Sequence, residues 1–332
     1  MYRWYDREHS SRSGRWNSIL PGRSGLRNMG SSNQWDAEWE VSEELAHKLI
    51  STQFPQLASK SVRKLGYGWD NTVYLVGTEY VFRFPRREVA IHSLRMEGKI
   101  LPKLKDYCSI AYSIPLLFGV GDYGYPAPFL GYSYLSGEFP IGLTDKQRAL
   151  SANTLAVFLK SLHAFPVQIA QENGVQHDHR NLTDLAMRKE KMHKFLSDIA
   201  LHLCDEEYRA LSNYIEQLKT KKVKQKYTFL HGDLHFKNML VNESGIISGI
   251  IDWGDINIGH PACDLNVVYS FLPPDARSNF FKVYGEVDEE TKILARLIAI
   301  YIPILIMLQA IDHNDMSLID EAKANIKRAL AD

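Results

Sequence analysis

The chain has 332 residues, enough for two lobes of ordinary domain size, and its 39 basic and 39 acidic side chains cancel. Zero net charge leaves no whole-chain footprint for nucleic acid or an anionic membrane. Its three cysteines, Cys108, Cys204 and Cys263, lie far apart and form no CxxC pair, so free thiols in a reducing, cytoplasmic setting are expected.

Residues 1–34 intersperse Arg3, Arg7, Arg12, Arg15, Arg23 and Arg27 with serine and glycine and show little apolar periodicity. They lack the apolar core of a secretory signal. They read as a disordered or extraneous extension before or around Met29, with a basic targeting arm as the alternative. Val62 to Leu75 reads strand, glycine loop, strand, with Leu65-Gly66-Tyr67-Gly68-Trp69-Asp70-Asn71 at its centre. Gly66 and Gly68 allow close approach of backbone to phosphate and unusual φ values, although an ordinary hairpin turn has the same look. Tyr80 to Pro85 is a short β-run carrying a cation, Arg83. Glu88 to Leu104 reads as a helix with Ala90, Leu94 and Leu101 on one face and Glu97 near its middle. Pro128 to Gly137 reads as a buried strand entering a linker.

Leu155, Phe158, Leu159 and Leu162 share one helical face, and that helix ends near His163-Ala164-Phe165-Pro166, with His163 structural. Residues 182–220 read as further helices, and Tyr227 to Leu230 as a strand. Ile293 to Ile311 approaches transmembrane length, but Arg296 and Pro303 favour a buried helix.

The densest chemical signal is His231-Gly232-Asp233-Leu234-His235-Phe236-Lys237-Asn238, followed by Ile250-Ile251-Asp252-Trp253-Gly254-Asp255. Met239 to Val241 and Ile246 to Ile251 read as a hairpin around Asn242-Glu243-Ser244-Gly245, which returns Asp252 to Asn238. Asp233, Asn238 and Asp252 then have the spacing used for phosphoryl transfer. One aspartate accepts the proton of the attacking hydroxyl, and the asparagine and the second aspartate hold Mg²⁺. His231 and His235 as a zinc pair are disfavoured, because a metal-binding helix does not normally contain Gly232.

These motifs resemble the aminoglycoside and macrolide phosphotransferases, antibiotic kinases related in fold to protein kinases. The similarity runs from about Trp35 to the C-terminus and includes "GWDNTVYLV" and the segment Ile258-Gly259-His260-Pro261-Ala262-Cys263-Asp264-Leu265. The resemblance implies an α+β, two-lobed protein-kinase-like fold. Residues 35–134 would form an N-terminal nucleotide-binding lobe, a small antiparallel sheet with one helix. Residues 135–332 would form a larger, mainly helical catalytic and acceptor-binding lobe. Arg83 stands where the family commonly has lysine, with Glu97 as its ion-pair partner. Ser133 and Leu135 become backbone partners of the purine, with Tyr132 at the gate before them, and His231 supports the loop of Asp233. His235 and Lys237 are placed to touch the γ-phosphate, and Asp255 and Asp264 to brace the loop.

The implied reaction moves the γ-phosphate of Mg²⁺-bound GTP or ATP to an antibiotic hydroxyl, in a monomer with no nucleic-acid or membrane partner. The apolar late helix leans towards a macrolide acceptor; Asp312, Asp315, Asp320 and Glu321 keep an aminoglycoside open. A small-metabolite alcohol or amino-sugar kinase and a non-catalytic nucleotide-binding pseudokinase are the remaining alternatives.

Overall fold

The computed structural model describes residues 37–68, 70–219 and 223–331, so the expected extension over residues 1–34 lies outside the described residues. In chain order the first elements are α1 (Glu43–Gln53), β1 (Val62–Tyr67), β2 (Asn71–Val76), β3 (Tyr80–Pro85), α2 (Glu88–Ile100), β4 (Ala111–Tyr112), β5 (Pro115–Gly119) and β6 (Phe129–Ser133). Then come α3 (Asp145–Ala149), α4 (Ala152–His163), α5 (Val167–Glu172), α6 (Leu185–Ile199), α7 (Asp205–Gln217), β7 (Thr228–Leu230), β8 (Met239–Val241), β9 (Ile247–Ile250) and β10 (Asn257–Gly259). The chain closes with α8 (Ala262–Leu265), α9 (Val267–Ser270), α10 (Pro274–Tyr284), α11 (Glu289–Asp312) and α12 (Met316–Leu330).

Two compact units result. The smaller takes the described residues up to Leu94 together with Leu116–Tyr134; the larger takes Arg95–Pro115 and the chain from Leu135 onward. The second segment of the smaller unit ends at Tyr134, and residues 95–115 group with the larger unit. Their β4 pairs in parallel with β9, Ala111 opposite Gly249 and Tyr112 opposite Ile250. Tyr112 also packs edge-on against Trp253. Long-range pairing of this kind leaves no local sequence signal.

The smaller unit is a five-stranded sheet in the order β1-β2-β3-β6-β5, with β1–β2, β2–β3 and β3–β6 antiparallel. Strand alternation puts Tyr74, Phe82 and Phe84 into one core with Phe129, where Phe84 and Phe129 stack with ring centroids 4.5 Å apart. Helix α1 covers that core with Ala46, Leu49 and Ile50. Its start follows ordinary capping chemistry: the Ser42 hydroxyl accepts from Leu45 N–H at 3.1 Å, and Glu43 and Glu44 occupy the positive end of the helix dipole. This helix adds to the single one expected from residues 88–104.

In the larger unit, Leu155, Phe158, Leu159 and Leu162 of α4 are fully buried, as their spacing predicts. Helix α11 is long and apolar enough to cross a membrane, yet 72% of its most apolar window is buried inside the protein. It is a core helix. It runs unbroken through Pro303, which is itself buried. The expected hairpin forms as β8–β9, Met239 opposite Ile250 and Val241 opposite Ile247. Its turn is held by the Asn242 carboxamide, which accepts from Ser244 N–H at 3.0 Å and Ile246 N–H at 3.1 Å. Gly245 follows at φ +77°.

Candidate active site

Strand β7 and β10 pair antiparallel, Leu230 opposite Asn257, so the loop after β7 and the segment before β10 leave the sheet side by side. The Ile251 amide donates to the Asn238 carbonyl at 3.0 Å and delivers Asp252 beside the loop. This contact makes the long sequence spacing a single site. Asp252 adopts φ +60°, a left-handed conformation that a non-glycine residue holds only when its surroundings demand it.

Asp233 is partly buried. Its Oδ2 lies 3.3 Å from His235 Nε2 and 3.3 Å from Asn238 Nδ2, which also donates to the Asp233 carbonyl at 2.8 Å. Burial alone would raise this carboxyl, but the His235 hydrogen bond and the Arg180 charge outweigh it and hold Asp233 well below the usual carboxylate range. A carboxylate this acidic is a weak proton acceptor in the ground state. It suits a reaction in which the hydroxyl proton leaves late, as in a loose phosphoryl-transfer transition state.

His231 is fully buried. Its Nε2 faces the Ile251 carbonyl at 3.1 Å and its Nδ1 accepts from Asp233 N–H at 3.3 Å, so one neutral ring satisfies both. Gly232 is obligatory: it sits at φ +87°, and a Cβ there would lie 2.1 Å from the Asp255 carbonyl oxygen and 2.3 Å from Asn257 Nδ2. Behind both residues, fully buried Asp264 accepts from His231 N–H at 2.8 Å and Gly232 N–H at 2.9 Å. His163 Nε2 adds a contact at 3.3 Å, and its Nδ1 meets Tyr284 OH at 2.8 Å. Burial opposes the Asp264 charge, and these partners overcome it and lower the carboxyl.

Lys237 is lowered by burial, against the pull of Asp233, Asp252 and Asp315. Asp255 is raised by burial and by Asp233, with Arg180 opposing. Arg180 and Asp178 belong to no motif in the sequence. Its Nη2 donates to the Gly232 carbonyl at 2.6 Å.

The oxygen chemistry suits a hard divalent cation. The Asn238 amide nitrogen is committed to Asp233, which leaves its Oδ1 for metal, and the Asp252 carboxylate is exposed. Among the described residues no cluster of three or more His, Cys, Asp or Glu forms a metal cage. Mg²⁺ does not require one: it is commonly held by one or two protein ligands plus phosphates and water.

The remaining expected residues are distributed as follows. Gly66 sits in the smaller unit at φ +151°, where the β1–β2 register shifts. Strand β1 continues to Tyr67, so the loop is shorter than the sequence suggested. Gly68 has no left-handed φ, and a Cβ there would meet open space. Its carbonyl accepts from Arg86 at 2.9 Å. Arg86 also lies over the Tyr67 ring, and Arg87 pairs with Asp70. Arg83 lies on the sheet face opposite the aromatic core, 6.0 Å from the Tyr132 ring centroid. Ser133 pairs with Tyr80 at the end of β6. Glu97 and Leu135 belong to the larger unit, and Glu97 is buried, 1% exposed, not the solvated helix glutamate that its position alone would allow.

A small sheet unit with a glycine loop and a cationic strand, and a helical unit carrying this aspartate–asparagine–aspartate loop and hairpin, define a kinase-like phosphotransferase. The chain belongs to the phosphotransferase enzyme family, whose model matches residues 61–297. Its members are enzymes with hydroxyl acceptors. Among solved structures, the GDP complex of aminoglycoside 2'-phosphotransferase-IIIa superposes with TM-score 0.62 at 25% identity, over 87% of this chain and 98% of that one. A structure with GDP and kanamycin gives 0.58 at 25% identity, over 86% and 97%. The apoenzyme of a macrolide 2'-phosphotransferase from Brachybacterium faecium gives 0.50 at 17%, over 80% and 91%, a likeness of fold alone.

Proposed function

We propose that this enzyme transfers the γ-phosphate of GTP or ATP to a hydroxyl of an antibiotic, and that the acceptor is a macrolide. One observation carries the phosphoryl-transfer reading: the Ile251–Asn238 backbone bond and the Asn238–Asp233 side-chain bonds gather Asp233, Asn238 and Asp252 into one loop cluster. Asp233 orients the acceptor hydroxyl and takes its proton as the bond to phosphorus forms. Asn238 and Asp252 would hold Mg²⁺, which would neutralise charge on the phosphate oxygens. His231 holds the loop backbone in shape. Lys237 supplies positive charge near the transferring group, and the His235 ring Nε2 faces the Asp233 carboxylate. Gly66, Gly68, Arg83 and Ser133 of the smaller unit, and Glu97 and Leu135 of the larger, are the nucleotide-handling residues of this reading.

The macrolide preference rests on charge. A polycationic acceptor needs carboxylates to pair its ammonium groups as they desolvate. Of the four late acids, Glu321 is buried and pairs with Arg148 at 2.8 Å and Arg328 at 2.9 Å, and Asp315 caps α12.

Aminoglycoside phosphorylation is the second reading, favoured by the 25% identity to a kanamycin-bound structure. Three free thiols support work in the cytoplasm. The test is incubation of purified protein and Mg²⁺ with GTP or ATP against erythromycin, kanamycin and no acceptor, read by acceptor mass. Addition of one phosphoryl group to erythromycin alone supports the proposal. Addition to kanamycin alone selects the second reading, and no product on either overturns both.

A further inference from the structure

We propose that Arg180 is a positioning residue for phosphoryl transfer, clamping the Gly232 carbonyl and the Asp255 carboxylate so that Asp233 keeps its place among neighbouring negative charges. This rests on the phosphotransfer reading above.

The delivery of Arg180 is specific. Residues 176–178 run alongside β10 as an added strand: His177 bridges Ile258 in parallel, Asp178 N–H donates to the Ile258 carbonyl at 3.0 Å, and Ile258 N–H donates to the Gln176 carbonyl at 2.9 Å. The chain then turns at Asp178, whose Oδ1 accepts from both the Arg180 amide and Nε at 3.1 Å. The Arg180 carbonyl is held in turn by Arg188, whose other guanidinium nitrogen donates to Tyr301 OH at 2.8 Å. The side chain is therefore fixed at its base before it reaches the loop.

At its tip, Nη2 donates to the Gly232 carbonyl at 2.6 Å, and Nη1 stands 3.8 Å from Asp255 Oδ1. Gly232 immediately precedes Asp233 and sits at φ +87°, so the direction of its peptide sets where the Asp233 backbone begins. Asp255 lies three residues beyond Asp252, so one guanidinium spans both halves of the site. Asp233 and Asp252 both press against the Asp255 charge, and Arg180 opposes that repulsion. The planar, forked guanidinium can serve a carbonyl and a carboxylate at once, which an ammonium cannot do in the same geometry.

The experiment compares wild type, Arg180→Ala, Arg180→Lys and the double variant Arg180→Ala/Asp255→Asn, using the acceptor that the wild type phosphorylates. Arg180→Ala is expected to lower kcat about 100-fold, with nucleotide Kd changed by less than about threefold. The double variant is expected to recover at least about fivefold of that loss, because the carboxylate left uncompensated is gone. Arg180→Lys, which keeps the charge and loses the fork, should fall between wild type and alanine. Amide exchange of residues 230–238 in the nucleotide-free protein should quicken in Arg180→Ala while a distant core segment such as α4 keeps its protection. Unchanged exchange of 230–238, or a double variant no faster than the single one, overturns the role. A wild type without turnover overturns the phosphotransfer reading itself, a result distinct from an active wild type whose Arg180→Ala variant is equally fast.

Discussion

The Asn238 side chain reaches back five residues to Asp233, donating to its carbonyl at 2.8 Å and to its carboxylate at 3.3 Å. One amide thus ties the proposed proton acceptor to the proposed metal ligand, and its nitrogen is spent internally. Asn238→Ala should therefore disturb both functions: kcat falls, and the Mg²⁺ concentration for half-maximal turnover rises. Asp252→Ala should raise the Mg²⁺ requirement while leaving the loop bonds intact. Titration of activity with Mg²⁺ checks both, and an unchanged requirement in Asp252→Ala places the metal elsewhere.

Gly232→Ala should be severe. A left-handed φ and a Cβ 2.1 Å from a carbonyl oxygen leave the loop no unstrained position. A loss of about 2–4 kcal/mol in unfolding free energy is expected, from backbone strain plus overpacking. Denaturant unfolding measures it, and a loss below about 0.5 kcal/mol would show that the loop moves freely.

Burial of His260, helped by Lys226 and opposed by Asp288 and Glu290, pushes its pKa down to about 4. The unfolded chain binds this proton near the ordinary value of 6.5, so it binds more protons than the folded chain between those two values. The stability contributed is therefore fully present above about 6.5 and is lost as pH falls towards 4, at up to about 1.4 kcal/mol per pH unit. His260→Gln should flatten stability against pH across that window. An unchanged slope would assign the acid sensitivity to other groups.

Glu321 is 4% exposed and accepts from Arg148, Arg328, Asn325 and the Gly142 amide. Glu321→Ala leaves two buried guanidinium groups facing each other and should cost about 3–5 kcal/mol. The paired replacement Arg148→Met/Glu321→Leu should cost less than Glu321→Ala. Thermal unfolding of the two variants decides the point.

Local pattern made the hairpin after the Asp233 loop legible: Asn-Glu-Ser-Gly between two apolar runs is turn chemistry. Tyr80 to Pro85 alternates as a strand must, and β3 has those bounds. Glycine identity was less informative than it looked. Gly66 occupies positive φ, but Gly68 does not. Arg180 could not be read from sequence, because the pairing of residues 176–178 with β10 joins segments some eighty positions apart. The Glu321 cluster was hidden for the same reason, and an acid offered to an acceptor from composition alone proved committed to Arg148 and Arg328.

In the proposed reaction Asp233 takes the acceptor proton during direct transfer. Single-turnover kinetics of Asp233→Asn against wild type, with nucleotide affinity measured on both, test it most directly. The account predicts a transfer rate lower by about 10³-fold or more at saturating nucleotide and acceptor, with nucleotide Kd within about threefold. A variant that transfers phosphate at the wild-type rate would contradict it.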